Sequence, residues 1–215
     1  MIEIIIEATK TKTSPNFLIQ DIPGTSGRLD VIIRCILAIN SLPTFIKNNI
    51  IFTTILNGAP DPPKLFKFYF SKLNFPDDEI NAALFFKKLI EKTMKIDITD
   101  AENVHNSNKI EINPGIIYIR SDIINYLKKI MIKEFPIIFL HESGNSFRKN
   151  IIPYLKLNDY SNLYVIIGDQ SGYNSQTYKF LEDNFRKFKL KGNKSYLSSQ
   201  CIVYLLYELM LIGFF

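Results

Sequence analysis

The spacing of apolar residues changes along this chain, and each change marks an element. Residues 2–8 (IEIIIEA) and 50–56 (IIFTTIL) are short, nearly continuous apolar runs, the pattern of strands buried on both faces. Between them, residues 26–42 place Leu29, Ile32, Ile33, Ile36 and Ile39 around most of a helical circumference, which predicts a largely buried helix. That order is βαβ, two parallel strands joined by a crossover helix. Residues 64–72 (KLFKFYFSK) alternate Phe66, Phe68 and Phe70 with Lys67, Tyr69 and Ser71, the period of a half-exposed strand. Residues 77–95 predict an amphipathic helix with acids in its first turn and Ala82, Phe86, Leu89 and Ile90 on one face. Residues 116–120 resume as a strand, and 121–134 follow as a helix. Residues 97–114 show no period and read as a surface excursion, with His105 on an exposed loop.

In the last third, two strand-length apolar runs break off in glycine and small polar residues: 136–144 (PIIFLHESG) and 163–172 (LYVIIGDQSG). Buried parallel strands end this way where they reach a ligand crevice. A third segment, 188–201 (FKLKGNKSYLSSQC), is looser and basic, and it leads into an apolar helix starting near Cys201. Three such ends converging form a rim of free N–H and C=O groups. The expected fold is α/β, with a mostly parallel sheet and helices on both faces; at 215 residues the chain is expected to form one domain.

Composition narrows the function. A hydrophobic fraction of 47% excludes a disordered chain. Two cysteines, Cys35 and Cys201, and only two histidines, without metal-ligand spacing, point to a reducing, cytoplasmic setting and no metal. The N-terminus lacks the basic start and cleavage site of a signal peptide. The apolar run 201–215 contains Glu208 and falls short of the roughly 20 residues that span a membrane. It reads as a buried or subunit-interface helix, with Leu205 expected on the partner-facing side and no membrane contact. A net charge of +5 favours a polyanionic partner. The acid-free run 186–194 (RKFKLKGNK) is either a solvated face or an RNA contact. Phosphate loops of the GxxxxGK type, GxGxxG fingerprints and HExxH zinc helices are absent, and 168–172 does not fit the GxSxG nucleophile elbow.

Six segments carry a resemblance: 23–30 (PGTSGRLD), 34–35 (RC), 58–63 (GAPDPP), 140–144 (LHESG), 168–172 (GDQSG) and 195–201 (SYLSSQC). In these residues, taken in order almost from end to end, the chain resembles the SPOUT-type RNA methyltransferases. Within them it is similar to the archaeal tRNA pseudouridine-54 N1-methyltransferases. The resemblance implies a deep C-terminal trefoil knot, which general topology rules would not suggest. It also implies S-adenosylmethionine as cofactor, tRNA as substrate and a homodimer. Residues 135–215 would be the cofactor-binding knot and 1–134 the half carrying candidate substrate-contacting elements. Cofactor contacts would come from Leu140, Glu142, Gly144, Gly168, Asp169, Ser195, Tyr196, Leu197 and Cys201, largely through backbone. Related alternatives are the same fold acting on ribosomal RNA pseudouridine or a ribose hydroxyl, or an RNA-binding relative without catalysis.

Residue by residue, each role has a plainer rival. Glu142 or Asp169 would hold the ribose hydroxyls; either acid alone also fits a turn or helix cap. Asp61, stiffened by three neighbouring prolines, is the catalytic candidate, accepting or orienting the N1–H of a pseudouridine; alone it fits a turn. Arg28, Asp30 and Arg34 are either a local ion pair or an arginine pair facing phosphate, and Lys64 and Lys67 would steady developing charge or phosphate. Cys201 is expected to pack and touch cofactor rather than act as a nucleophile.

Overall fold

The structure, a computed structural model, describes residues 1–100, 109–156, 162–192 and 195–215. Strand β1 (Ile2–Lys12) leads through a 3₁₀ turn (Ile19–Asp21) and a short α1 (Ile22–Thr25) to α2 (Leu29–Asn40), then α3 (Thr44–Lys47), β2 (Ile50–Gly58) and β3 (Lys64–Tyr69). After α4 (Glu79–Asp100) come β4 (Ile110–Asn113), β5 (Ile116–Ile119) and α5 (Ile123–Met131). The chain ends in three strand–helix units: β6 (Ile137–Ser146) with α6 (Phe147–Lys156), β7 (Leu163–Ile167) with α7 (Ser175–Asn184), and β8 (Arg186–Lys189) with α8 (Ser198–Leu211).

All eight strands form one sheet in the order β4-β5-β3-β2-β1-β7-β6-β8. Strands β2, β1, β7, β6 and β8 are mutually parallel, while β3 runs antiparallel to both β2 and β5. β1 shows how strand period becomes layering. Ile2, Ile4, Ile6 and Ala8 face a core shared with α2, α4, α6 and α8, and Ile5 faces a second core built with α5 and α7. Helices therefore cover both faces, as the pattern predicts. On the second face the sheet also encloses a polar cluster: Glu3 accepts from Thr53 (2.6 Å), Lys67 (2.9 Å) and the Tyr126 hydroxyl. Each buried charge there has a partner, which is what makes its burial tolerable.

Several expectations change. Residues 110–113 form β4 at the sheet edge instead of a loop, while His105 lies outside the described residues. The basic segment at 186–189 is strand β8, pairing in parallel with β6. Phe188 alone in that strand is fully buried, so no apolar period announces it, and its lysines suit an exposed edge. Helix α8 starts at Ser198 rather than Cys201, with the Leu197 N–H donating to Gln200 Oε1 (3.0 Å). Leu205, expected to face a partner, is 0% exposed and sits in the chain's own core. Buried Glu208 is held by two hydrogen bonds from Arg148, at 2.8 and 2.7 Å. Among the described residues no helix is long and apolar enough to cross a membrane, and no group of three or more His, Cys, Asp or Glu is placed to hold a metal ion.

Candidate cofactor and RNA site

A cleft of about 970 Å³ opens where β7 and β8 end and where β6 shifts register between Leu140 and Asn145. Its walls are Leu140 to Glu142 of β6, Ile167 to Tyr173 at and after the end of β7, and Leu190, Gly192 and Ser195 to Ser199 with Cys201 after β8. Helix α2 closes the fourth side with Arg28, Val31 and Arg34. Two of the three strand ends expected from sequence, those of β7 and β8, thus converge, while the first segment is an irregular stretch of β6, which runs on to Ser146.

Hydrogen bonds lock the loops to one another. Asp169 Oδ2 accepts from both the backbone N–H (2.8 Å) and the hydroxyl (2.6 Å) of Thr9, in the stretch of β1 where its register shifts, and Oδ1 accepts from the Ser171 N–H (2.7 Å). The Ser198 hydroxyl donates to Gly168 O (2.8 Å), tying the second loop to the start of α8. The Tyr173 hydroxyl donates to Leu140 O (2.7 Å) and lies 3.1 Å from Ile166 O, while the Tyr196 hydroxyl closes the third loop on Lys191 O (2.6 Å). Gly172 turns the second loop at φ +81°, a conformation that favours glycine. A Cβ on Gly168 would stand 3.1 Å from Gly172 Cα, so the turn has no room to spare there.

These bonds separate the candidate ligands. Both carboxylate oxygens of Asp169 are committed to Thr9 and Ser171, and the residue is 8% exposed; it shapes the cleft from within. Glu142 is exposed on the cleft wall and makes no hydrogen bond or ion pair among the described residues. It is therefore the acid left for a ribose diol or a cationic group. Gly144 does not line the cleft: a Cβ there would stand 2.4 Å from Phe188 C, so this glycine lets β6 pass against β8. Leu140, Gly168, Ser195, Tyr196, Leu197 and Cys201 all line the cleft. Burial pushes the Cys201 thiol up to about 11, which keeps it protonated at neutral pH.

At the cleft mouth, Asp30 is an enclosed hub, its side chain 1% exposed. It receives Arg28 through two hydrogen bonds (2.9 and 3.1 Å) and Arg34 at 3.3 Å, while Arg34 also reaches Glu79 at 3.5 Å. The local ion pairs exist, and they fix two half-exposed guanidiniums beside the cleft. Arg28 does so from a left-handed backbone at φ 73°, unusual for a side chain of its size.

Asp61 is not brought into the lining of this cleft. It follows β2 on the same sheet edge, with its N–H donating to Thr13 Oγ1 (2.8 Å). Because β1 lies between β2 and β7, two strand spacings, about 10 Å, separate this loop from Gly168. Arg120 grips both oxygens of Asp61, and Lys64 Nζ lies 3.1 Å away. The Arg120 hydrogen bonds, with help from Lys64, hold the carboxyl down at about 2. Lys64 itself is 0% exposed and faces Asp61 and the Tyr118 ring. Lys67 is bonded to Glu3 and Tyr126 (2.7 Å) inside the sheet's second face. Neither lysine lines the cleft; Lys64 braces Asp61, and Lys67 balances a buried acid.

Thr9, Tyr173 and Arg120 help to build the site, yet no motif marks them in the sequence. Arg120 stands just beyond the carboxyl end of β5, a position that could point to it, whereas Thr9 lies within β1. Tyr173 carries no sequence signal.

The residues fit S-adenosylmethionine, a ligand with no phosphate. Apolar Leu140, Ile167, Leu190 and Leu197 offer contact to a flat ring, backbone groups offer partners to its edges, and unpaired Glu142 offers a negative group to a diol or cation. Comparison with known proteins agrees. A family model described as "Putative SAM-dependent RNA methyltransferase" matches residues 1–211. The tRNA (pseudouridine(54)-N(1))-methyltransferase of Pyrococcus abyssi is 32% identical over 204 residues, 93% of this chain and 93% of the relative. That of Methanocaldococcus jannaschii is 32% identical over 184 residues, covering 85% of this chain and 83% of the relative. Among solved structures, Archaeoglobus fulgidus Nep1 bound to S-adenosylhomocysteine matches 98% of this chain and 97% of its own at a TM-score of 0.62; with 14% identity, that likeness is one of fold.

Proposed function

On the premise that the chain belongs to the family of SAM-dependent RNA methyltransferases, alongside the archaeal tRNA (pseudouridine(54)-N(1))-methyltransferases, we propose that it methylates N1 of pseudouridine 54 in the tRNA T-loop. The observation that carries this reading is the juxtaposition at one sheet edge of a phosphate-free ligand cleft with unpaired Glu142, the arginines Arg28 and Arg34, and the anchored carboxylate of Asp61. Bound S-adenosylmethionine supplies an electrophilic methyl group on a cationic sulfonium. The loops containing Leu140, Gly168 and Ser195 to Cys201 hold it, largely through backbone, with Glu142 at the ribose.

Arg28 and Arg34 take phosphates beside the target nucleotide. Asp61 accepts a hydrogen bond from the pseudouridine N1–H and aims that nitrogen. Arg120 and Lys64 keep that carboxylate ionised, so it orients the N1–H, and as N1 takes the methyl group its proton is released to solvent. Catalysis then rests on positioning two reactants in line. Residues 135–215 act as a knotted cofactor unit and residues 1–134 supply most substrate contacts. The enzyme works as a homodimer, since α8 leaves Val203 (47%), Tyr207 (54%), Met210 (44%) and Leu211 (57%) exposed along one helical face, and a tRNA substrate places it in the cytoplasm.

The test compares tRNA transcripts carrying pseudouridine or uridine at position 54, incubated with protein and methyl-labelled cofactor. One methyl per tRNA on pseudouridine and none on uridine is the expected outcome. Methylation of a ribose hydroxyl, or of a ribosomal RNA fragment in preference to tRNA, would overturn the assignment.

A further inference from the structure

The functional edge of the sheet continues past Asp61. Since β3 is antiparallel to both β2 and β5, β5 points the same way as β1 and β7, and Arg120 at its end lies on the edge that carries Gly58 and Gly168. There a second concavity of about 480 Å³ opens between Pro63 and α5. Arg120, Ser121, Asn125, Lys128, Lys129 and Ile132 line it, and exposed Lys133 stands beside Ile132 in sequence. The acid in the lining, Asp122, is occupied as the cap of α5, accepting the Asn125 N–H (2.8 Å) and side-chain N–H (2.6 Å). Lysines in a last helical turn also complement the helix dipole. That effect accounts for their place on α5. It accounts neither for the hollow they border nor for its alignment with Asp61 through the Arg120 pair.

We infer that this basic groove is the docking track for the RNA backbone flanking the target nucleotide. The inference rests on the methyltransferase reading and extends its substrate side. From β7 to β5 is four strand spacings, about 19 Å, on the order of five nucleotides of stacked strand. A strand laid along the edge meets Arg28 and Arg34 at the cleft, Asp61 at the middle, and Arg120 with Lys128 at the far end. The far end gives affinity and register but no base readout, as phosphate contacts do.

The experiment measures binding of a fluorescent tRNA transcript across a salt series. Its arms are the wild type, Lys128→Glu with Lys133→Glu, and Lys72→Glu. Lys72 is exposed in the turn after β3, on the opposite edge of the sheet. The double variant should bind at least about tenfold more weakly, with the log-affinity against log-salt slope reduced by about 0.7 to 0.9 for each phosphate left without its lysine. Lys72→Glu should match wild type, and calorimetry should give equal cofactor affinity for all three proteins. A double variant that keeps wild-type affinity and slope overturns the groove while leaving the methyltransferase assignment intact. A wild type with no salt-dependent tRNA affinity overturns both.

Discussion

The two ends of the functional edge are built by opposite means. At the β6, β7 and β8 end, backbone carbonyls, hydroxyls and glycine turns are bonded to one another, and one carboxylate, Glu142, is left unpaired. From the cleft mouth to the β2 and β5 end, charges are paired: Asp30 is held by Arg28 and Arg34 where α2 closes the cleft, and Asp61 is gripped by Arg120 and Lys64 at the far end. The first arrangement suits a ligand with a positive centre and no phosphate, because shape and backbone complementarity do the selecting. The second suits a polyanion, since buried or braced acids pre-position the half-exposed guanidiniums of Arg28, Arg34 and Arg120. One enzyme can thus hold a cation and a nucleic acid side by side without placing free opposite charges in a common pocket.

The largest expected effect breaks the backbone end. Gly168→Val would force a branched side chain against the Gly172 turn, where even a Cβ stands 3.1 Å from Gly172 Cα, and should lower cofactor affinity more than about 100-fold by calorimetry. Its affinity for tRNA should stay near wild type; parallel loss of both ligands would mean that the two ends are not separate. Next is Asp61→Asn, which should slow single-turnover methylation by roughly 100-fold, the scale of a misplaced reactant, with cofactor affinity unchanged. The Asp61 carboxyl is held at about 2, against 3.8 unperturbed, so it stays ionised through the neutral range and the methylation rate should show no step from it there. The sign for stability follows. The depressed carboxyl contributes fully above about 3.8 and loses its contribution as pH falls through about 2. Acid melts of wild type and Asp61→Asn should therefore converge at the bottom of that window, and a difference persisting below it would exclude the Arg120 pair as its source.

The same contrast explains how far sequence reaches. The backbone end is legible because glycines and small polar residues closing apolar runs mark where parallel strands stop. The paired end is not, since pairing is made across the sheet. Asp61 meets Arg120 fifty-nine positions away, and Thr9 meets Asp169 across 160 positions. Lys67 reads as an outward cation from strand alternation, yet it balances Glu3 within the molecule, and Lys64, singled out as a charge or phosphate contact, braces Asp61. Strands β4 and β8 carry no readable period because edge strands bury too few side chains to show one. The order of elements and the two covered faces, by contrast, follow from isoleucine runs long enough to be read without tertiary context.

Helix α8 carries a buried face with Leu205 and an exposed stripe with Tyr207, the stripe proposed as the subunit contact. Tyr207→Glu places a charge on the exposed stripe and should weaken the dimer, raising its dissociation constant about tenfold or more by sedimentation while the monomer stays folded. Leu205→Glu instead buries an unpaired charge in the core and should fail to fold. Folded monomer from Leu205→Glu, or undiminished dimer from Tyr207→Glu, would mean that the exposed stripe is not the interface.

The smallest effect is expected at Cys201, which lines the cofactor cleft from the first turn of α8. Burial holds its thiol at about 11, so it is protonated at neutral pH and is a poor nucleophile, despite the helix N-terminus that would lower it. A carbon acceptor on a uracil ring would require a thiolate to add and activate it, whereas a ring nitrogen already presents a lone pair once its proton has left. Cys201→Ala should therefore weaken cofactor binding only a few-fold through poorer packing, on the order of 1 kcal/mol, and retain turnover at saturating cofactor. Denaturing gels should show no covalent protein–RNA adduct with a 5-fluorouridine substrate. A trapped adduct, or abolished turnover with intact cofactor binding, would make the thiol part of the chemistry and place the acceptor on carbon.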